Sequence, residues 1–194
     1  MEDLLLAAAG VEASFLQHGW RFCFIGGVAV QRWGSPRFTQ DLDITLLTGF
    51  GDEKRFVDLL LKELTPRLPD AGDFALRHRV LLARTSEGIE IDIAFGALPF
   101  EERSVDRASA WQVREGLALT TCSADDLVVH KAFAGRGRDW DDVESVLIRQ
   151  HARLNFQQIR EELQPLLELK GQAEALDKLD QMRAAVEHRL RTNP

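Results

Sequence analysis

Apolar residues along this chain recur at helical spacing, then at strand spacing, and then at helical spacing again. Leu4, Ala8, Val11 and Phe15 fall on one stripe and predict a helix over residues 2–17, closed by Gly19. Phe22 to Ile25 is a short apolar run, read as a buried strand. It stops at Gly26-Gly27, and a short helix over residues 28–33 follows. Pro36 breaks that helix and pushes Ser35 toward an extended conformation. Residues 41–47 alternate cleanly: Leu42, Ile44 and Leu46 point one way, Asp41, Asp43 and Thr45 the other. Asp52 is placed to cap a helix running to about residue 64, with Phe56, Leu59, Leu60 and Leu64 as its apolar face. Pro66 and Pro69 end it. Residues 77–85 and 89–95 read as an antiparallel pair of strands, joined by a turn around Ser86-Glu87-Gly88. A helix over about residues 99–108 and a strand or hairpin over 111–121 follow.

The pattern then changes. Ser123 starts a helix, with Asp126 placed to support its cap. Gly135-Arg136-Gly137 breaks it, and a second helix begins near Asp139. Ile159, Leu163, Leu166 and Leu167 form one further helical stripe; Leu176, Leu179, Met182, Val186 and Leu190 form another. Strands followed by a run of helices imply an α+β architecture. The expected organisation is a mixed β-sheet flanked by helices over residues 1–121, then a C-terminal helical portion, 122–194, packing on it.

Composition sharpens this only at the edges. Hydrophobic residues at 45% are enough for an ordinary core, so disorder is not the default. The formal net charge of −7 argues against a protein that coats nucleic acid non-specifically, although it leaves room for a local basic groove. Cys23 and Cys122 are far apart and form no CxxC pair, so both are read as packed, reduced thiols of a cytoplasmic protein. The apolar run Leu4 to Ala9 follows Glu2 and Asp3 rather than basic residues, unlike a signal peptide. No segment approaches the ~20 apolar residues of a membrane span, so no membrane partner is expected.

The chemistry is concentrated in the carboxylates. Aspartate is disfavoured in strands, yet Asp41 and Asp43 occupy positions i and i+2 of one. Their side chains share a face, with α-carbons ~7 Å apart. Charges that close repel, and one of the pair is expected to hold a proton near neutral pH unless a cation neutralises them. A divalent cation takes oxygen ligands of this kind. In Ile89-Glu90-Ile91-Asp92-Ile93 the isoleucines share one face, and Glu90 and Asp92 the other. If that strand lies beside the first, Asp92 completes a three-carboxylate cluster. Glu90 is the alternative third ligand. Such a cluster can hold one or two Mg²⁺ ions that orient a triphosphate and activate an acceptor oxygen for in-line attack on the α-phosphorus. Read blandly, the same pattern is a half-exposed sheet with polar residues on its wet face.

Gly26-Gly27, between a strand and a helix, can bring backbone N–H groups up to an anion, helped by the helix dipole. A glycine pair alone is more often just a turn. No Gly-Lys-Ser/Thr follows, so it is not a P-loop.

Gly26-Gly27, thirteen intervening residues, Asp41-Leu42-Asp43-Ile44 and a later Asp92 together resemble the DNA polymerase β-like nucleotidyltransferase superfamily. The stretch Arg37-Phe38-Thr39-Gln40-Asp41-Leu42-Asp43 is similar to the R-x-T-x-D-h-D form of AbiEii-type proteins, where h is apolar. Residues 131–139, Lys131 to Asp139 with Asp142 beyond, resemble their K-x-x-A-x-R-x-x-D segment. The resemblance implies a nucleotidyltransferase fold, Mg²⁺ (or Mn²⁺) as cofactor and an NTP, with ATP among the candidates. It also suggests the toxin of a type IV-like toxin–antitoxin pair, and hence an antitoxin partner. By this likeness Asp41, Asp43 and Asp92 hold metal, Gly26 and Gly27 contact the triphosphate, and Lys131 contacts its phosphates. Arg37, Thr39 and Asp139 become candidate nucleotide-binding residues. Without it, Lys131 on an apolar stripe would simply snorkel, and Asp139 would be an N-cap.

The acceptor is expected to be RNA, with tRNA in view because some relatives modify its acceptor end. The residue-level support is Arg77, His78, Arg79 and Arg84, read as one hairpin whose Arg77 and Arg79 share a strand face. An aminoglycoside or lincosamide nucleotidyltransferase, or a non-catalytic nucleotide-binding module, are the alternatives. No His/Cys spacing supports zinc, His78 reads as an exposed strand residue, and His130 as a packed helical one.

Overall fold

The structure is a computed structural model and describes residues 1–192. In chain order its elements are α1 (Glu2–Gln17), β1 (Phe22–Phe24), α2 (Gly26–Trp33), β2 (Asp41–Leu47), α3 (Glu53–Glu63), β3 (Thr65–Pro66), α4 (Ala71–His78), β4 (Val80–Arg84), β5 (Glu90–Gly96), α5 (Pro99–Asp106), β6 (Ser109–Arg114), β7 (Leu117–Thr121), α6 (Ala124–Ala134), α7 (Gly137–Gln150), α8 (Phe156–Lys170) and α9 (Glu174–Thr192). They form two compact units, residues 1–28 with 38–122, and residues 29–37 with 123–192.

The first unit holds a seven-stranded sheet in the order β3-β4-β5-β2-β1-β7-β6. It is mixed: β2 runs parallel to β5 and β1 parallel to β7, while the other neighbours are antiparallel. Alternation along the strands decides the layers. Leu42, Ile44, Leu46, Leu81, Ile91 and Ile93 are fully buried and form one core with Leu4, Ala8, Val11 and Phe15 of α1 and Phe56 and Leu60 of α3. Burying each of the larger aliphatic side chains contributes on the order of 1.5–3 kcal/mol, so helices are held on that side of the sheet. The residues between them on β2 and β5 face the other side.

Two expectations are corrected here. The predicted strand over 77–85 begins only at Val80, because residues 71–78 form α4. Buried Ala71 and Ala75, four apart, anchor that helix, and Phe74 lies against His78 at 4.3 Å. The helix stops at Arg79, which adopts φ +55°. A branch-free side chain tolerates this left-handed corner because its guanidinium donates to the carbonyls of Phe95 (2.6 Å) and Gly49 (3.0 Å) and pairs with Glu53. Arg77 and Arg79 therefore do not share a strand face, and His78 is an exposed helical residue rather than an exposed strand one. The helix predicted from residue 28 begins at Gly26, so the glycines are its first residues.

In the second unit α6 is capped as expected: the Ser123 hydroxyl accepts from the Asp126 backbone N–H at 3.1 Å. Helix α7 starts at Gly137, two residues before the expected Asp139, whose side chain folds back to accept from the Arg136 backbone N–H at 3.2 Å. Ile159, Leu163 and Leu167 of α8 and Leu179 and Val186 of α9 are buried, on the stripes the periodicity marks. Among the described residues, no helix is long and apolar enough to cross a membrane.

Burial holds the His130 imidazole down, from an ordinary 6.5 to about 4; Asp126 opposes the shift and Lys131 reinforces it. Between those values the unfolded chain binds a proton that the folded chain refuses, so stability falls as pH drops through this window. The loss saturates below pH 4 at roughly 3 kcal/mol as an upper bound. Urea denaturation from pH 7 to pH 4.5 is expected to show this decline, and His130→Gln to flatten it.

Candidate active site

The polar face of the sheet is built by register. In the parallel pair β2–β5, Asp41 lies opposite Glu90 and Asp43 opposite Asp92. Paired residues on neighbouring strands share a face, with strands ~4.8 Å apart. Asp41, Asp43, Glu90 and Asp92 therefore stand together, two on each strand, on the side opposite the core.

The glycine pair abuts this face. A Cβ on Gly26, at φ +54°, would stand 1.9 Å from Asp43 Oδ2; one on Gly27 would stand 2.3 Å from Thr39 Oγ1. Only glycine fits at either place, and at Gly26 the left-handed backbone imposes it a second time. The start of α2 is thus packed directly on the Asp43 carboxylate, with the Ile25 N–H bonded to the Asp43 carbonyl at 2.9 Å. Gly26→Ala is expected to cost about 2–3 kcal/mol from strain and overpacking together. Urea midpoints of the two proteins measure it.

Thr39 is buried, and its hydroxyl donates to Asp41 Oδ1 at 2.9 Å, fixing that carboxylate's rotamer. Asp92 meets a residue that periodicity did not single out. Arg67, just beyond β3, donates to Asp92 Oδ1 at 2.5 Å and lies 3.2 Å from Glu90 Oε2. Arg84 donates to Glu90 Oε1 at 2.7 Å. Burial raises the Asp92 carboxyl above the ordinary carboxylate range, Arg67 opposes this, and Asp41 and Glu90 add to it. Arg67 carried no sequence signal because its strand is two residues long and the flanking prolines read only as breakers. The available hint was an arginine within reach of an acidic strand.

As the side chains stand, no three His, Cys, Asp or Glu groups among the described residues are gathered tightly enough to grip an ion. Asp92 is turned onto Arg67 and Asp41 onto Thr39. The donor set itself suits a hard divalent cation: it is all carboxylate oxygen, from two residues on each of two neighbouring strands.

The remaining sequence candidates meet in the second unit. Lys131 is buried on α6, and its Nζ lies 3.0 Å from Asp139 Oδ1 and 2.8 Å from Asp142 Oδ2 on α7. Arg37 donates to both oxygens of Asp142, from Nε at 2.6 Å and from a terminal nitrogen at 2.8 Å. Arg136 Nε donates to Asp139 at 2.7 Å. Burial pushes both carboxyls up; Arg37 and Lys131 more than reverse this at Asp142, as Arg136 and Lys131 do at Asp139. Lys131, Arg37 and Asp139 thus belong to one buried ion network. For Lys131 to contact a phosphate, it must give up at least one of two carboxylates.

The basic cluster expected to follow RNA is dispersed. Arg77 pairs with Asp70, Arg79 with Glu53 and Arg84 with Glu90.

Comparison with known proteins places this arrangement. The family model described as nucleotidyl transferase AbiEii toxin, type IV TA system, matches residues 11–193. No curated protein matches the sequence. Among solved structures, an antigenic nucleotidyltransferase-like protein from Paracoccidioides brasiliensis is 14% identical, covering 96% of this chain and 93% of that one at a TM-score of 0.58. This likeness shows a nucleotidyltransferase-like fold. The antibiotic-resistance factor ANT(2'')-Ia is 16% identical over 97% of this chain and 93% of its own, with a TM-score of 0.44. The lincosamide antibiotic adenylyltransferase LnuA, solved with lincomycin, is 12% identical over 72% of this chain and 94% of its own, with a TM-score of 0.47.

Proposed function

This chain belongs to the AbiEii nucleotidyltransferase toxin family of type IV toxin–antitoxin systems, and from that premise we propose that it transfers a nucleoside monophosphate from an NTP to an RNA hydroxyl. The observation that carries the reading is the register of β2 on β5, which sets Asp43 beside Asp92 with Gly26 pressed against Asp43. Asp41, Asp43 and Asp92 would hold a divalent cation. When bound, that ion neutralises triphosphate charge and makes the acceptor hydroxyl a better nucleophile.

The rest is the work of this chain's own groups. Thr39 holds the Asp41 carboxylate in place. Gly26 and Gly27, at the positive end of α2, let backbone N–H groups approach phosphate oxygens closely. Two arginines hold Glu90, which leaves Asp92 as the third ligand we assign. Attack of the acceptor oxygen on the α-phosphorus forms one P–O bond and breaks the one to the β-phosphate, so pyrophosphate leaves while the hydroxyl proton passes to water. The buried network of Lys131, Asp139, Asp142 and Arg37 holds α6, α7 and Arg37 together within the second unit. A cognate antitoxin is the protein partner, and the cytoplasm the compartment, that this family membership supports.

An RNA acceptor, tRNA first, rests on the toxin character of the family: the hairpin of β4 and β5 forms, but Arg77, His78 and Arg79 lie outside its strands and only Arg84 is on it. The test presents each of the four α-³²P-labelled NTPs with Mg²⁺ and total RNA, alongside tubes holding an aminoglycoside or a lincosamide. Labelled RNA with release of pyrophosphate is expected. Label on a drug or a protein, with RNA blank, rejects the RNA acceptor. Label on nothing rejects transfer.

A further inference from the structure

We propose that Arg67 is the resident counter-cation of the carboxylate face, holding Asp92 while no divalent cation is bound and yielding it when one binds. The inference rests on the metal reading above and adds a residue to it.

Register puts Arg67 in place. Thr65 pairs with Arg84 and Pro66 with Ala83, and the Arg67 N–H continues the ladder to the Leu82 carbonyl at 3.0 Å. Leu82 pairs with Asp92, and Asp92 with Asp43. Two rows therefore cross the face: Thr65, Arg84, Glu90 and Asp41 in one; Arg67, Leu82, Asp92 and Asp43 in the other. In each row an arginine reaches toward the carboxylates, Arg84 from β4 and Arg67 from the end of the edge strand β3. Leu82 is too short to block the reach of Arg67, whose guanidinium spans both β5 acids.

The two β5 carboxylates are not held equally. Glu90 takes both Arg84 and Arg67, while Asp92 takes Arg67. Withdrawing one guanidinium leaves Glu90 paired and sets Asp92 free. A guanidinium and a divalent ion repel when they share one carboxylate. Arg67 has somewhere to go: its side chain is 24% exposed and already touches Glu90. In the metal-free protein it relieves the repulsion among the acids. In the loaded protein it stays on Glu90.

The experiment is equilibrium binding of Mn²⁺, followed by the electron paramagnetic resonance of the free ion, to full-length wild type, R67M, R67K and D43N. Removing the competitor should tighten Mn²⁺ binding by about fivefold to tenfold in R67M, the order expected of one partly exposed ion pair. R67K, shorter but still cationic, should fall between. Metal-free R67M should melt below wild type, and saturating Mn²⁺ should close the gap. Mn²⁺ binding in R67M equal to or weaker than wild type overturns the proposal. If R67M does not fold, the wild type alone decides: one arginine Nε–H resonance protected without metal should lose protection on Mg²⁺ addition, and its persistence overturns the proposal. If wild type and D43N bind Mn²⁺ alike, the metal reading fails and this one with it. If D43N loses the ion while R67M matches wild type, only the role of Arg67 fails.

Discussion

Asp43→Asn is expected to slow nucleotidyl transfer by about a thousandfold or more while leaving the fold close to its wild-type stability. Both halves follow from the same geometry. Asp43 sits at the centre of the carboxylate face, opposite Asp92 and flanked on its own strand by Asp41. The amide keeps the shape that Gly26 is packed around but removes the charge that a metal-bound triphosphate needs. Asparagine also keeps the size of the side chain and its capacity to hydrogen-bond, so the urea midpoint should stay close to wild type. Initial rates with labelled NTP, read beside urea denaturation, separate the two effects. A rate within tenfold of wild type would remove Asp43 from the chemistry. A collapse in stability would mean that the side chain is structural.

The largest expected effect on folding belongs to Asp142→Ala. Asp142 is 3% exposed and accepts two bonds from Arg37 and one ion pair from Lys131. Its loss takes from Lys131 one of its two carboxylates and from Arg37 a two-bond partner, in a site that excludes most water. Breaking a buried pair from one side costs about 3–5 kcal/mol, because the partner's desolvation is no longer compensated. Lys131→Met added to it should cost less than the sum of the two changes, as members of one network do. Additive losses would show that the contacts are independent. Transfer should weaken in proportion to the unfolded fraction. An unstable but fully active Asp142→Ala protein would confine the network to folding.

What the sequence could tell here depended on whether the signal was local. The alternation of residues 41–47 assigns Asp41 and Asp43 to one face without any knowledge of neighbours, and the same holds for Glu90 and Asp92. That β2 and β5 are adjacent and parallel, with Asp43 level with Asp92, depends on a pairing nearly fifty residues apart in the chain and could only be supposed. Helix α4 was missed because it is eight residues long, contains Gly72 and follows two prolines, so its one clear mark is the Ala71–Ala75 spacing. Placing Arg77 and Arg79 on a strand followed from that miss. Lys131 and Asp139 were marked by a motif, but a motif does not say which partners burial brings to them. The depth of that site, and the Arg37–Asp142 bonds across it, come from packing alone. Arg67 shows the same limit most sharply: its function depends on crossing one strand to reach another.

Crystals soaked with Mn²⁺ and a non-hydrolysable NTP give the most direct test of the central claim, through the anomalous scattering of manganese. The account predicts a peak within about 2.2 Å of carboxylate oxygens of Asp41 and Asp43, with Asp92 turned from Arg67 toward it and the triphosphate against Gly26 and Gly27. A nucleotide bound elsewhere, with no manganese on the β2–β5 face, would contradict it.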